Sequence, residues 1–284
     1  MKKTINFGPW LVEYTTEDGA RLNRLCFNEY DLLTIEPKIF NAPSKDYGAY
    51  ETRPVYGYDD CFPSVESCMF AQKNWEIPDH GELCWLKWNT LVNTDSLVFT
   101  TKSKMLPLIF RREMIFKENE INWNFEVKNE GDQIFPFQHV MHPLMRLDEL
   151  RDFELPGFEK VYNEISHLNM ELKNPREVKE YLFNQGIGTA NMLFIQRIKD
   201  GEMHWKYKSG IILKVIFPRK LFPSIGIWWN NSGYPDEDGC RRNEFAFEPI
   251  PGLNSVLSDN YENKMCLSVS PGKIFSWQIK WRID

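Results

Sequence analysis

Residues 109–127 read IFRREMIFKENEINWNFEV, and their alternation decides the fold class. In Ile121–Val127 the apolar Ile121, Trp123, Phe125 and Val127 alternate with Asn122, Asn124 and Glu126. A period of two puts one set on a buried face and the other in water, as in an antiparallel sheet covered on one side. The preceding run, Ile109–Phe116, is joined to it by the polar turn KENE, and LVFTT (Leu97–Thr101) stands before that. Three short strands in succession make a meander.

Working outward, the pattern recurs. RLNRLCFN (21–28) and DLLTI (31–35) are candidate strands near the start. IILKVIF (211–217), SIGIWWN (224–230), EFAFEPIPG (244–252) and MCLSV (265–269) follow later, and Phe275, Trp277, Ile279, Trp281 and Ile283 alternate strictly at the end. Asn174, Pro175 and Glu177 have the form of an N-cap, a first-turn proline and a capping-box glutamate, so a short helix is predicted through Phe183, ending before Gly186 and Gly188. An irregular aromatic region, Asn41–Trp88, separates the early strands from the meander; a loop of that length in a compact domain usually either binds something or contains elements that the pattern does not reveal. With no repeat or charged linker, residues 1–284 are expected to form a single domain, mainly β, a large antiparallel sandwich with one or two short helices.

Composition limits the partners. With 20 Phe, 11 Tyr and 10 Trp the chain can fill a large core, and its net charge of −6 argues against a nucleic-acid partner. No apolar run is long enough to span a bilayer as a helix, and MKKTINFGPW lacks the apolar stretch of a signal peptide. Six cysteines without a CxxC pair read as reduced thiols of a cytoplasmic protein. Nothing in the sequence speaks to oligomeric state.

Among the five histidines, parity selects one. If Phe135–Leu144 is a strand, His139 shares a face with Phe135, Phe137 and Met141, where a histidine is most often packed structurally. His142 shares the other face with Gln138 and Val140, next to Pro143. His142 is therefore the candidate acid or base. Glu248 falls off the apolar Phe245/Phe247 face and precedes Pro249, where the strand is expected to give way to a loop. His80 sits in a DHG turn within the irregular region, while His167 and His204 read as surface residues. Trp228 and Trp229 must point to opposite sides, so one can offer an indole face to a sugar while the other is core. His139 and His142 are three apart and the HxH spacing is missing, so no metal and no metal cofactor is expected. There is also no GxSxG elbow, GxGxxG turn or P-loop. The pairs Arg111–Arg112 and Arg241–Arg242 could serve a phosphorylated sugar, but charged pairs on strands and loops usually read as solvated surface.

In order, these segments resemble the galactose mutarotase-like family of aldose 1-epimerases and their relatives. HPLMRL (142–147) is similar to the family's H-x-Y-F-x-L strand, FEPIPG (247–252) to its E-P segment, DHGELCW (79–85) to its H-G segment, and SPGKIFSWQIKW (270–281) to its closing turn and strand. Leu144 and Met145 replace the tyrosine and phenylalanine, and neither the family's N-G-R arginine nor its hydroxyl-binding aspartate has a matching position. The resemblance implies the supersandwich fold and a cofactor-independent isomerase that interconverts α and β anomers of an aldose or sugar phosphate. It implies His142 as general acid, Glu248 as general base and His80 as a substrate-orienting residue. Asp60 and Trp228 are assigned by position to the sugar's hydroxyls and ring face. The alternatives are a non-catalytic carbohydrate-binding sandwich, or a ligand-free structural one in which these residues lie far apart.

Overall fold

In the computed structural model, residues 1–38, 46–235 and 241–284 are described. The hairpin that decides the class pairs Leu108–Phe116 with Glu120–Asn129, setting Phe116 opposite Ile121, Met114 opposite Trp123 and Phe110 opposite Val127. It lies inside an eight-stranded sheet ordered Leu150–Glu154, Glu202–Tyr207, Ile212–Ile216, Ile274–Ile283, Glu120–Asn129, Leu108–Phe116, Ser96–Lys102 and Asn89–Val92. All of its pairings are antiparallel.

Two six-stranded sheets lie against the apolar face of this one. The first runs Lys3–Phe7, Trp10–Thr15, Arg21–Phe27, Tyr58–Cys61, Val140–Pro143, with Tyr30–Asp31 attached to Arg21–Phe27. The second runs Met145–Arg146, Asn243–Ile250, Ser224–Asn231, Thr189–Gln196, Lys160–Asn163, Leu168–Met170. Aromatic side chains join the layers: Tyr58 meets Trp123 at 5.0 Å between centroids, and Trp205 meets Phe247 at 5.4 Å. Each large apolar side chain fully buried in this cluster contributes on the order of 1.5–3 kcal/mol. The helix forms over Pro175–Phe183, with the Asn174 side chain accepting from the Glu177 N–H at 3.1 Å; a second short helix spans Leu257–Glu262.

Three details differ from the sequence reading. In DLLTI only Asp31 belongs to a strand, and Leu32 and Leu33 are simply buried. Phe135–Leu144 is not one strand: Phe135–Phe137 pairs with Leu267–Val269, whereas Val140–Pro143 pairs with Tyr58–Cys61. Arg112 lies on the buried face of its strand, fully covered, paired with Asp60 and donating to the Ala20 carbonyl at 2.6 Å. Its neighbour Arg111 faces out and pairs with Glu113 at 3.0 Å. Among the described residues no helix is long and apolar enough to cross a membrane.

Candidate active site

The site lies on the seam between the two six-stranded sheets. Tyr58–Cys61 and Val140–Pro143 run antiparallel, with His142 opposite Asp59 and Val140 opposite Cys61. Alternation turns Asp59, Cys61, Val140 and His142 to one side and sends Tyr58, Asp60 and Met141 to the core. At Leu144 the chain leaves this sheet; its N–H donates to Gly57 O at 2.8 Å, and Met145 then pairs with Phe245 in the other sheet. The strand Asn243–Ile250 therefore faces Val140–Pro143 across the seam.

Glu248 lies opposite Gly226 on the adjacent strand. A Cβ on Gly226 would sit 3.2 Å from Glu248 Oε2 and 3.1 Å from the Met192 methyl, so the missing side chain makes the room that the carboxyl fills. Glu248 is 2% exposed and its Oε1 has no hydrogen-bond partner. His142 Nε2 stands 3.8 Å from that oxygen. Two residues 106 positions apart in the chain thus form one pair.

The other nitrogen of His142 is held from behind. The buried Tyr50 hydroxyl donates to Asp59 Oδ2 at 2.9 Å and lies 3.4 Å from His142 Nδ1. Because its one proton goes to Asp59, the phenol oxygen can only accept from Nδ1–H, which leaves Nε2 facing Glu248 with its lone pair. Arg53 and Arg21 approach Asp59 at 3.5 and 3.7 Å, so the carboxylate is balanced by two buried guanidiniums. Burial keeps the Tyr50 hydroxyl well above its usual pKa, with the Asp59 charge acting in the same direction.

Burial also orders the protons on the pair. It lifts the Glu248 carboxyl to about 8 against a smaller opposing pull from His80. It holds His142 well below its ordinary value, and His80, Arg242, Arg21 and Arg53 add to that effect. Near neutrality the ligand-free pair therefore holds one proton, on Glu248, the reverse of the order that free side chains would give.

His80 comes from a turn. Both His80 and Gly81 have positive φ, 60° and 70°, and a Cβ on Gly81 would fall 1.9 Å from the Phe62 carbonyl, so only glycine fits there. The His80 N–H donates to Val65 O at 2.6 Å. The imidazole stacks on Tyr50 at 3.7 Å, and its Nδ1 lies 2.8 Å from Asp79. Burial alone would lower the pKa of His80, but Asp79, with Glu66 and Glu248 acting the same way, more than offsets it and the net shift is upward.

These groups open into a cleft of about 610 Å³, a size suited to a small ligand. Trp228 lines it while Trp229 is buried in the core, as adjacent strand residues must be. The Trp228 indole donates to Glu244 Oε1 at 3.0 Å, and Arg242 is clamped by Glu51 at 2.7 and 3.0 Å and by Glu244 at 2.8 Å. Glu164, which also lines the cleft, accepts from the Ser255 hydroxyl at 2.7 Å.

His142, Glu248, His80 and Trp228 are thus brought together. Asp60 is not: it faces the core, fully buried, bound to Arg112, to the Tyr58 hydroxyl at 2.6 Å and to His139 Nε2 at 2.9 Å. Its carboxylate has no side free for a sugar. Glu248 does not end its strand, which continues through Pro249 to Ile250. His167, read as a surface residue, stands on the rim of the cleft. Sequence reasoning missed Tyr50, Asp59 and Glu244, and left Arg242 among the surface pairs. Only the length and aromatic character of the irregular region pointed toward Tyr50. The Cys61 thiol and the His80 and His142 imidazoles have ligand atoms within 4.8 Å of one another, the donor set that could hold a metal ion.

No family model and no curated protein matches the chain. Solved structures do. An Escherichia coli K12 protein described provisionally as an aldose 1-epimerase superposes with a TM-score of 0.74 at 14% identity, over 100% of this chain and 99% of that one. A galactose mutarotase related enzyme from Lactobacillus acidophilus gives 0.70 at 16% identity, over 100% and 97%. The fold is that of the galactose mutarotase-like proteins. A galactose mutarotase-like protein from Lactobacillus casei gives 0.67 at 15% identity, with both chains covered completely. The antiparallel sandwich read from strand alternation, and the supersandwich implied by the resemblance of four short motifs, agree with the observed architecture. At such identities the likeness to these mutarotase-like structures establishes the fold.

Proposed function

We propose that this protein is an isomerase of the aldose 1-epimerase type, converting α to β anomers of an unphosphorylated aldose by general acid–base catalysis. The observation that carries the reading is the His142–Glu248 pair, 3.8 Å apart at the base of a sugar-sized cleft, with Glu248 Oε1 bound to nothing else. Anomerisation needs a base for the hydroxyl proton of the anomeric carbon and an acid for the ring oxygen. Those two oxygens share one carbon, so groups this close can each stay within the hydrogen-bond reach of about 2.6–3.2 Å. A pair holding a single proton supplies both functions at once. In the direction implied by the family resemblance, the proton passes to His142 as the sugar seats. The Glu248 carboxylate then takes the hydroxyl proton while His142 protonates the ring oxygen. The ring opens to the aldehyde, the C1–C2 bond rotates, and reclosure with the roles exchanged restores the pair.

His80, fixed by Asp79 and Tyr50, is placed to donate to the sugar near its ring oxygen, and Trp228 offers an indole face. The only arginine among the described lining residues, Arg242, is already bound by Glu51 and Glu244, and further carboxylates line the walls. That balance favours a neutral sugar over a phosphorylated one. The test is polarimetry on freshly dissolved α-glucose and α-galactose. Wild type should accelerate the change, and Glu248→Gln and His142→Asn should each lose on the order of 10²–10⁴-fold. Acceleration retained by both variants removes the pair from the chemistry. Sugar binding without acceleration by wild type leaves a carbohydrate-binding sandwich in its place.

A further inference from the structure

We propose that the base of the cleft is also a binding site for one borderline-soft divalent cation, Zn²⁺ fitting best, with Cys61 Sγ, His80, His142 and the Glu248 carboxylate as its ligands. The donor atoms of the first three lie within 4.8 Å of one another, and Glu248 Oε1 is 3.8 Å from His142 Nε2. A tetrahedral zinc with bonds of about 2.0–2.3 Å sets its donors about 3.3–3.8 Å apart, so side-chain shifts on the order of 1 Å close the shell. One sulfur, two imidazoles and a carboxylate are the donor types that zinc takes.

Two further observations point to a ligand. The first is Glu248 Oε1 itself, buried, without a hydrogen-bond partner and 3.8 Å from His142 Nε2. The second is how the histidines are supported. His80 has Nδ1 against Asp79 at 2.8 Å, and His142 has Nδ1 against the Tyr50 hydroxyl at 3.4 Å, which in turn is bound to Asp59. Each ring thus has its outer nitrogen engaged by a carboxylate, directly or through a phenol, and Nε2 left over. This carboxylate–histidine arrangement is the one that orients histidine ligands in metal sites. Cys61 lies on the same face of its strand as Asp59, fully buried beside the histidines. The set escapes any search for neighbouring ligands because its members come from positions 61, 80, 142 and 248.

On binding, a sulfur–metal bond forms and the Cys61 S–H bond breaks, with the proton released to solvent. Glu248 likewise gives up its carboxyl proton, and no redox change occurs. Because the thiol must lose its proton to bind, affinity rises with pH. The same ion occupies both members of the acid–base pair. Silencing of anomerisation by Zn²⁺ therefore rests on the isomerase reading, whereas the binding does not.

The test is titration of the full-length, metal-free chain with Co²⁺, followed in the near-ultraviolet and visible. Wild type should take up one equivalent with a thiolate-to-cobalt charge-transfer band and tetrahedral d–d bands, both erased by one equivalent of Zn²⁺. Cys61→Ser should lose the charge-transfer band, and it and His80→Ala should each bind Zn²⁺ at least about 10-fold more weakly by competition with a chelating dye. Cys68→Ser, at a half-exposed thiol, should change nothing. Circular dichroism checks that each variant is folded; should Cys61→Ser fail to fold, His80→Ala carries the test. No charge-transfer band in wild type, or one that survives Cys61→Ser, overturns the proposal. A chain that gives the bands but no anomerisation keeps the metal site and loses the isomerase; the opposite result does the reverse.

Discussion

Replacing Glu248 with glutamine should stabilise this protein at alkaline pH. The carboxyl is 2% exposed, and burial raises its pKa from the ordinary 4.5 to about 8. A folded-state value above the unfolded one means that, between those limits, the folded chain holds a proton that the unfolded chain has released. Stability then falls as pH rises through that interval, and the full penalty applies above it. At about 1.4 kcal/mol per pH unit the loss comes to about 5 kcal/mol. This is an upper figure, because an ionised carboxylate at a cleft can recruit water. Glutamine keeps the shape and does not ionise, so its cost of burial stays constant with pH.

The assay is urea unfolding of wild type and Glu248→Gln at about pH 5, 7 and 9 in one buffer series. The stability difference in favour of the variant should grow by several kcal/mol from the lowest pH to the highest, with similar m-values. If the difference stays flat within about 1 kcal/mol, the carboxyl is not desolvated as the structure requires, and the single-proton pair fails with it.

Three other outcomes follow from the same geometry. The pH profile of kcat/KM for anomerisation should hold level through neutrality and fall above about 8 as Glu248 loses the pair's proton, with the acid limb below His142's ordinary 6.5; an alkaline limb near 6.5 would mean that the pair titrates like free side chains. Gly226→Ala, whose new methyl would press on Glu248 Oε2 and Met192, should lower kcat at least about 10-fold while the chain stays folded by circular dichroism, since small misplacements of reacting groups are costly. Asp60→Asn should destabilise the chain by about 3–5 kcal/mol in chemical denaturation, because it leaves Arg112 buried without its counter-charge; a loss of sugar affinity at unchanged stability would return Asp60 to the site.

How much of this could be read in the sequence depends on the range of the physics involved. Alternation is local, so the faces of Ile121–Val127, the opposite orientations of Trp228 and Trp229, and the separation of His142 from His139 all followed from a period of two. His139 does pack among Phe110, Phe125 and Trp277, even though the strand thought to carry both histidines is broken between two sheets. Arg112 stands on an apolar row by the same parity, but its charge argued for the surface, and what reverses that argument is Asp60, 52 residues away. Pro249 suggested a strand end because proline cannot donate to a ladder. At that point the strand has a partner on one side only, since Met145–Arg146 reaches no further than Glu244 and Phe245, so an absent N–H is tolerated and Glu248 stays inside the sheet.

That continuation makes the chemistry. A carboxyl at a frayed strand end would be hydrated and would titrate near 4.5, fully ionised at neutrality and without a proton to share with an imidazole. Held in the sheet opposite Gly226, the same carboxyl is dry, is lifted to about 8 and comes within 3.8 Å of His142. Residue types and spacing could nominate the two groups, but the proton they share is set by the depth of burial at the seam between two sheets. The desolvation that would give the pair its working range is also what makes Glu248 costly to fold.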